Sequence, residues 1–277
     1  MDTTALLEVD SLAVEYRKTG LRASVNRVID DVSFHIGTGE TLALVGESGS
    51  GKSTIGKVIL GLTPAAAGSI RFRGRQIDSL SARARRPLAS ELQVIFQNPY
   101  GSLNPSLKIG RILAEPLLAA GRSRREAMGQ IADLLSVVNM PADTVDRYPG
   151  DFSGGQRQRI AIARALALKP SLVVCDEPTS ALDVSTQAAV LELLAELQQR
   201  LGVSYLFITH DLAVVRQFAD RTIVLQNGRI VEEGSSSDVC ERPQHPYTQR
   251  LVAAAPVPDP RLQRERRERR NALAAAG

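Results

Sequence analysis

The sequence has 277 residues, of which 43% are hydrophobic, enough for a substantial core and one or two domains. No apolar run approaches the roughly eighteen residues that span a bilayer, and two widely separated cysteines provide no disulfide framework. The formal charge of +4 equals that of residues 261–270, which carry six Arg and two Glu, so no basic nucleic-acid-binding face is predicted in the rest of the chain.

The first predicted elements are strands. Two short segments, Leu7–Val9 and Ala13–Tyr16, precede a stretch at 32–36 in which apolar and polar residues alternate. Thr41–Val45 follows as a buried strand, and this order predicts an antiparallel sheet that lies against a mixed or parallel one. The N-terminus, MDTTALLEVD, contains acidic residues and no basic segment, so we expect no secretory signal.

A glycine-rich loop, GESGSGKST, follows that strand at residues 46–54. The apolar residues after it recur at helical spacing, at Ile55, Val58, Ile59 and Leu62. A glycine loop between a buried strand and a helix start is the context of a phosphate-binding loop, in which Lys52 reaches the phosphates and the Ser53 hydroxyl binds Mg²⁺. We therefore expect a nucleoside triphosphate to be held by Gly46, Glu47, Ser48, Gly49, Ser50, Gly51, Lys52, Ser53 and Thr54.

Residues 98–152 differ in character from the strands before them. A hairpin around Gly74 and a core strand at Leu92–Phe96 precede a segment that opens with Gly, Asn and Pro and continues with helical patterns. Ser123-Arg-Arg-Glu126 is a capping box, and Pro141 is expected to end that helix. The apolar stripe of the helix consists of Ala127, Ile131, Leu134, Leu135 and Val138. We interpret this segment as a helical insertion between two strands of the core.

Acidic and polar side chains follow the next buried strands. Leu172–Asp176 is an apolar run that ends in an acid, as expected of a central parallel strand, whose C-terminal end is where open α/β sheets bind ligands. Asp176 is suited to hold Mg²⁺, and Glu177 to orient and deprotonate an attacking water. Gln97 and His210 also follow predicted strands, where Gln97 could contact the metal or the water and His210 could donate to the γ-phosphate.

The remaining elements complete an α/β core. They are an amphipathic helix through 190–201 that Gly202 ends, a buried strand at Val203–Ile208, and a hairpin with the turn Asn227-Gly228.

The stretch Phe152–Arg159, FSGGQRQR, predicts a second phosphate-binding surface, because a serine and two glycines begin a helix there. A chain that folds around one triphosphate has no evident need for two such surfaces. We therefore expect Ser153–Gln156 to complete the site of a neighbouring subunit, so that two chains enclose two nucleotides and hydrolysis opens and closes the dimer.

The motifs GESGSGKST, FQNP, FSGGQ, LVVCDEP, SALD and THD, in this order over residues 46–211, resemble those of ABC ATPases. The resemblance assigns the Walker A loop to Gly46–Thr54 and the Walker B end to Val173–Glu177. It makes Gln97 the Q-loop residue, Asp183 the D-loop aspartate and His210 the switch histidine. The signature consists of Ser153, Gly154, Gly155 and Gln156. The resemblance also matches Tyr16 to the aromatic that stacks on adenine. Phe152 stands where Leu is usual at the start of the signature.

Two further stretches, QNPYGSLNPSLKIG at 97–110 and HPYTQRLVAAAPVPDP at 245–260, resemble the oligopeptide and dipeptide importers, a group with nickel and glutathione relatives. This implies ATP and Mg²⁺ as cofactors and a peripheral location on the cytoplasmic face of the inner membrane. The implied partners are a second ATP-binding subunit, a paralogue rather than an identical chain, two transmembrane permease subunits and an extracytoplasmic substrate-binding protein, but no nucleic acid. By its residues alone, His245–Thr248 predicts a proline-punctuated surface segment.

The cysteines do not predict a metal centre. Some relatives of those importers carry a cysteine cluster for iron–sulfur near the C-terminus, but only Cys240 lies there, so we expect no iron–sulfur cluster. Cys175, inside the Walker B strand, is expected to be a packing residue.

The sequence also bears on functions other than peptide import. Chromosome and repair ABC ATPases need a long coiled-coil insertion, whereas only 55 residues separate Gln97 from Ser153, and translation factors carry two cassettes in one chain. An ATP-binding subunit of a phosphonate C–P lyase complex shares the QNP and HPY neighbourhoods and stays open as an alternative. A plain P-loop kinase would leave Ser153–Gln156 unexplained.

The expected fold is α/β, with a P-loop NTPase (RecA-like) core, an antiparallel β subdomain and an inserted α-helical subdomain at about 98–165. The nucleotide-binding domain is predicted to span 1–239, and a C-terminal extension with the Arg/Glu tail to span 240–277.

Overall fold

The computed structural model describes residues 5–18, 24–97 and 99–254, so the predicted Arg/Glu tail lies outside the described residues. The chain divides into two compact units. The second unit is Leu80–Tyr205, and the first unit is formed by the described residues before Leu80 and after Tyr205.

Strands and helices alternate along most of the described chain. In chain order the strands are β1 (Leu7–Lys18), β2 (Ser24–Ile36), β3 (Thr41–Val45), β4 (Ala67–Phe72), β5 (Arg75–Gln76), β6 (Leu92–Ile95), β7 (Leu172–Asp176), β8 (Ser204–Thr209), β9 (Arg221–Gln226) and β10 (Arg229–Ser235). The α-helices are α1 (Lys52–Ile59), α2 (Ala82–Arg85), α3 (Pro99–Ser102), α4 (Ile109–Ala119), α5 (Arg124–Val137), α6 (Gly154–Leu166), α7 (Val184–Leu201), α8 (Leu212–Phe218), α9 (Ser236–Glu241) and α10 (Pro246–Ala254). Short 3₁₀ segments occupy Arg86–Ser90, Ala142–Asp146 and Pro149–Asp151.

The first unit contains an antiparallel sheet of order β2-β1-β4-β5, as predicted. The predicted segments Leu7–Val9 and Ala13–Tyr16 are joined in one strand, β1, with irregular register between them. Ser11 lies at this irregularity with a φ of 48°. A bulge shifts the alternation of side chains by one residue, so Leu7 and Leu12 are both fully buried although their numbers differ in parity.

The first unit also contains the strand order β10-β9-β3-β8, with β8 in this unit from Leu206 onward. β3 pairs in parallel with β9, and β9 pairs antiparallel with β10. The turn residues Asn227 and Gly228 have positive φ values of 50° and 77°, as the predicted two-residue hairpin turn requires. β3 is buried along its whole length, so the strand that leads into the glycine loop is held in place by packing on all sides.

The second unit combines the parallel pair β6 and β7 with helices α2 to α7. Helices α4, α5 and α6 pack against one another. The predicted capping box is present at the start of α5, where the Ser123 hydroxyl accepts from the Glu126 N–H at 3.3 Å and the Glu126 carboxylate accepts from the Ser123 N–H at 2.8 Å. Of the predicted α5 stripe, Leu134 is half-buried and the other members are buried. The predicted helix stop at Gly202 is confirmed by its left-handed φ of 67° at the end of α7.

Helix α1 is shorter than its apolar spacing predicts. It ends at Ile59, and the Gly61 N–H donates to the Val58 carbonyl at 2.9 Å. The Leu62 N–H donates to the Lys57 carbonyl at 2.8 Å, which completes a Schellman C-cap. Leu62, expected on the buried stripe, therefore lies outside the helix and is 63% exposed.

The prediction of a surface segment at His245–Thr248 is wrong. Tyr247 and Thr248 are only 4% and 0% exposed, and Pro246 begins α10, because the fixed φ and missing N–H of proline suit the first position of a helix. Tyr247 belongs to a hydrophobic cluster of the first unit whose other buried members are Ala43, Val45, Leu212, Val215, Val224, Val239 and Cys240. The domain boundary predicted between residues 239 and 240 falls inside α9.

Candidate nucleotide-binding site

The glycine loop lies in the first unit, between β3 and α1, which begins inside the loop at Lys52. The predicted order of strand, loop and helix is therefore confirmed. Gly46 has a φ of 153°, and a Cβ at this position would lie 2.2 Å from the backbone oxygen of Leu225 in β9. Only glycine fits where the chain leaves β3 this close to its neighbouring strand.

Replacing Gly46 by Ala is expected to destabilise the first unit and to weaken nucleotide binding. The added methyl group meets a backbone atom of a paired strand, which cannot withdraw without disturbing the sheet, so we expect a loss of about 1–3 kcal/mol in the free energy of unfolding. Thermal unfolding with and without MgATP measures both effects. Gly129→Ala in α5 is the control, because a Cβ there meets nothing within 4 Å. If Gly46→Ala unfolds at the same temperature as the wild type and binds MgATP equally well, the prediction is wrong.

Lys52 is almost fully buried, with 4% exposure, and its side chain folds along the loop. Its Nζ donates to the carbonyl oxygens of Gly46 at 2.7 Å and of Glu47 at 2.8 Å. Gly51 is the N-cap of α1 and makes no side-chain capping bond. A helix start capped by glycine has no N-cap side-chain oxygen, and its positive dipole together with a lysine ammonium favours an anion.

In the second unit, Gln97 and Glu177 lie in contact. β6 and β7 are parallel neighbours, so their C-terminal ends lie at the same edge, and the Gln97 Nε2 donates to the Glu177 Oε2 at 2.9 Å. Glu177 has a left-handed φ of 48°, and its carbonyl accepts from the Ser180 hydroxyl at 3.1 Å. The structure thus places the Gln97 amide on the carboxylate of the predicted base. Phe96, predicted to end the β6 strand, lies outside it and is 40% exposed.

The predicted signature forms the N-terminus of α6. Ser153 is the N-cap, and its hydroxyl accepts from the Gln156 N–H at 3.3 Å. The Gln156 side-chain oxygen accepts in return from the Ser153 N–H at 3.0 Å, which makes a capping box. Both side chains are exposed in the described structure, so this helix start is accessible from outside the chain.

Phe152, the unusual first residue of the signature, is buried with 5% exposure. The Arg147 guanidinium lies over its ring, 4.4 Å from the ring centre, in a cation–π arrangement. The contact with Arg147 accounts for an aromatic residue at position 152. The sequence pattern did not identify Arg147 as its partner.

Asp183 and Gly155 share a neighbour, Thr186. Asp183 is the N-cap of α7, and its carboxylate accepts from the Ser185 hydroxyl at 2.6 Å and from the Thr186 hydroxyl at 2.7 Å. These bonds, from Ser185 first, hold the pKa of Asp183 well below its usual range. A Cβ at Gly155 would lie 2.2 Å from the Thr186 methyl carbon, so α6 approaches α7 closely at this point. Thr186 was missed by sequence reasoning, although an Asp followed, after one valine, by two hydroxyl residues could have indicated a cap.

His210 and Tyr16 lie in the first unit with the glycine loop. His210 follows the end of β8 and is exposed, and Asp211 after it caps α8 by accepting from the Ala213 N–H at 2.8 Å. Tyr16 lies on β1 opposite Asn26 and is 41% exposed, as an aromatic that receives a ligand must be. The catalytic role of His210 and the stacking role of Tyr16 stay predictions.

The predicted Mg²⁺ ligands are chemically suited to that ion. Ser53, Gln97 and Asp176 offer a hydroxyl, an amide oxygen and a carboxylate, and Mg²⁺ prefers hard oxygen donors combined with water and phosphate. Within the described ranges, no three or more His, Cys, Asp and Glu side chains form a group that could hold a metal.

Both cysteines are free and buried, as expected for Cys175. Burial raises the pKa of the Cys175 thiol, with Asp176 adding to the effect, so the thiol stays protonated and unreactive at neutral pH. The expectation that no iron–sulfur cluster is bound stays a prediction.

Two family profiles match the sequence. That of the ABC transporter family matches residues 29–180, and that of the oligopeptide/dipeptide transporter C-terminal region matches residues 231–276. In the part of the chain that the structure describes, no helix is long and apolar enough to cross a membrane.

The chain is similar to bacterial proteins named for import. It is 51% identical over 267 residues to a protein of Brucella ovis named as a peptide import ATP-binding protein, covering 96% of this chain and 83% of the relative. It is 48% identical over 266 residues to the glutathione import ATP-binding protein GsiA of Pectobacterium atrosepticum, covering 94% of this chain and 43% of that longer one.

Solved structures of ATP-binding cassettes share the fold. CbiO1 from Clostridium perfringens, part of the ABC transporter complex cbiONQ, matches with a TM-score of 0.76 and 25% identity, over 87% of this chain and 92% of that one. The cassette MJ0796, in a dimeric post-hydrolysis state with ADP and phosphate, matches with a TM-score of 0.74 and 28% identity, over 83% of this chain and 98% of that one. The predicted fold class is confirmed.

Proposed function

The chain belongs to the ABC transporter family of ATPases, and on that premise we propose that it drives the import of oligopeptides, dipeptides or glutathione. The observation that carries the proposal is the 51% identity with the Brucella ovis protein, which extends over 96% of the chain. The match of residues 231–276 to the oligopeptide/dipeptide C-terminal region supports the same class of solute. The similarity to GsiA adds glutathione as a candidate.

Nucleotide binding is proposed to use the first unit. N–H groups of Gly46–Thr54, other than that of Glu47, which donates to Tyr247, and the Lys52 ammonium bind the phosphates, since both carry positive charge towards them. Tyr16 stacks on the adenine ring. Oxygens of Ser53, Asp176 and Gln97 would hold Mg²⁺, and the ion would supply positive charge that offsets the negative charge of the phosphates.

Hydrolysis is proposed to depend on Glu177. Its carboxylate accepts a proton from the attacking water, and His210 donates a hydrogen bond to the γ-phosphate. The Gln97 amide, bonded to that carboxylate at 2.9 Å, orients it. Because Gln97 also borders the helical segment, movement of that segment is expected to change the orientation of the base.

The second ATP-binding subunit is proposed to share each site. The exposed helix start at Ser153–Gln156 would face a nucleotide held by the other subunit, where its N–H groups meet the γ-phosphate. The dimeric form of MJ0796 supports an assembly of two cassettes. A paralogue is the expected partner.

The permease contact is proposed to lie in the second unit, on the segment Gln97–Asp151. A groove of about 860 Å³ there is lined by Leu118 and Met128, each 44% exposed, together with charged side chains. Exposed apolar side chains within a charged rim are typical of a protein contact. This contact would hold the chain on the cytoplasmic face of the inner membrane.

Uptake by the assembled transporter tests the proposed function. The chain, its paralogue and the permeases are reconstituted in vesicles with the substrate-binding protein, and ATP-dependent uptake of labelled dipeptides, longer peptides, glutathione and nickel is compared. Peptide or glutathione uptake is the expected result. Co-purification with carbon–phosphorus lyase subunits instead of permeases would favour the alternative function.

Met128→Glu is expected to weaken the permease contact. A charge placed on the apolar part of the groove loses on the order of 1–2 kcal/mol of binding, about tenfold in affinity. Co-purification of tagged permeases measures it. Leu201→Glu, at a residue of similar exposure, 46%, on the end of α7, is the matched control. Equal recovery of permeases with both variants would show that the groove is not the contact.

A further inference from the structure

We propose that Tyr247 is a positioning residue of the nucleotide loop, through which the C-terminal helix α10 sets the shape of the ATP site. The Glu47 N–H donates to the Tyr247 hydroxyl at 2.9 Å, although the two residues lie 200 positions apart. Both belong to the first unit. The inference rests on the proposed role of Gly46–Thr54 in binding nucleotide.

The contact acts on the peptide bond between Gly46 and Glu47. The N–H of this peptide donates to Tyr247, and its carbonyl, that of Gly46, accepts from the Lys52 Nζ at 2.7 Å. The plane of one peptide is thus fixed from both sides, by the phenol on one and the lysine ammonium on the other. Rotation of this plane would move the carbonyl that holds Lys52, the side chain proposed to meet the phosphates.

Tyr247 is itself held rigidly. Its ring is buried, with 4% exposure, in the cluster that includes Ala43 and Val45 of β3, the strand that leads into the loop. Burial raises the pKa of the Tyr247 phenol, so it is neutral at physiological pH. A neutral, buried hydroxyl at fixed distance is suited to accept from one backbone N–H.

The residues before Tyr247 anchor it to β10. The Glu232 carboxylate accepts from the N–H groups of Gln244 at 2.8 Å and His245 at 3.0 Å. The His245 Nδ1 accepts from the Tyr247 N–H at 3.2 Å, and Pro246 begins the helix. The sequence His-Pro-Tyr thus has a physical role: histidine and proline set the start of α10, and tyrosine reaches the loop.

Tyr247→Phe is expected to weaken the affinity of the full-length chain for MgADP about threefold to tenfold, the effect of one lost hydrogen bond. The phenyl ring keeps its place in the cluster, so the variant is expected to fold. MgADP is titrated by calorimetry, and hydrogen exchange reports on the Glu47 amide, which is expected to exchange faster in the variant.

Tyr205→Phe is the matched control. Its hydroxyl is also buried and donates to a backbone carbonyl, that of Leu194 at 3.1 Å, but it lies in the second unit. This variant is expected to lose stability while keeping its affinity for MgADP. Equal weakening of affinity in both variants would overturn the proposal, because the effect would then reflect general destabilisation.

The proposal would also be overturned if Tyr247→Phe kept the wild-type affinity for MgADP, or if its Glu47 amide exchanged at the wild-type rate. Gly46→Ala separates this failure from failure of the proposed loop function. If Gly46→Ala weakens MgADP binding and Tyr247→Phe does not, only the role of Tyr247 is lost. If neither variant weakens MgADP binding, the loop Gly46–Thr54 is not the nucleotide site.

Discussion

Glu177→Gln is expected to slow ATP hydrolysis by about a hundredfold to ten-thousandfold while leaving ATP binding intact. An amide cannot take a proton from water, so the variant lacks the proposed base. The introduced amide keeps a side-chain oxygen that can accept from Gln97, which bonds to the Glu177 carboxylate at 2.9 Å, so the local geometry is preserved. Bound ATP that is not hydrolysed is expected to favour the dimer.

Phosphate release and light scattering with MgATP measure turnover and assembly together. Glu192→Gln, an exposed position on α7 in the same unit, makes the same chemical change away from the site and is expected to retain full activity. Hydrolysis at the wild-type rate in Glu177→Gln would refute the role of Glu177 as the base.

Ser153→Arg is expected to reduce hydrolysis by the assembled complex about a hundredfold or more without weakening ATP capture by the same chain. The exposed tip of α6 would carry a long side chain where the γ-phosphate of the other subunit's nucleotide is expected. ATP affinity is expected to depend on Gly46–Thr54, which the substitution leaves unchanged. Hydrolysis and ATP affinity are therefore measured on the same preparation.

The substitution also removes a helix cap, which costs roughly 0.5–2 kcal/mol. Ser123→Arg provides a control for that loss, because Ser123 caps α5 with the same reciprocal pair of bonds, here to Glu126. It is expected to lower stability to a similar extent and to retain hydrolysis. A matching fall in the ATP affinity of Ser153→Arg would count against a site shared between subunits.

The features predicted correctly depend on short segments of sequence. The glycine loop between strand and helix, the capping box at Ser123, the helix start at Ser153 and the Asn227-Gly228 turn are all determined by residues within a few positions. Backbone hydrogen bonding and allowed φ values act over that range, so local pattern suffices. The early end of α1 was not predicted, although its cause is also local, since Gly61 is the usual signal of such a C-cap.

Most of the features that sequence reasoning missed depend on packing between distant segments. Tyr247 is buried because α10 covers β3, and nothing near residue 247 identifies that partner. The contact of Thr186 with Gly155 likewise arises from segments brought together by folding, whereas the Arg147 partner of Phe152 lies only a few positions away and was missed although it is local. The bond from Gln97 to Glu177 could be expected only once β6 and β7 were known to be parallel neighbours.

The close approach of Gly155 to Thr186 has a consequence for the choice of a dimerisation partner. Thr186 is bonded to Asp183 and leaves no room for a side chain at Gly155. The start of α6 at Ser153 and the cap of α7 at Asp183 are therefore held close to each other. In the proposed dimer, a facing subunit would have to fit the start of α6 and the cap of α7 together. The shape of this surface would then restrict which cassettes can pair.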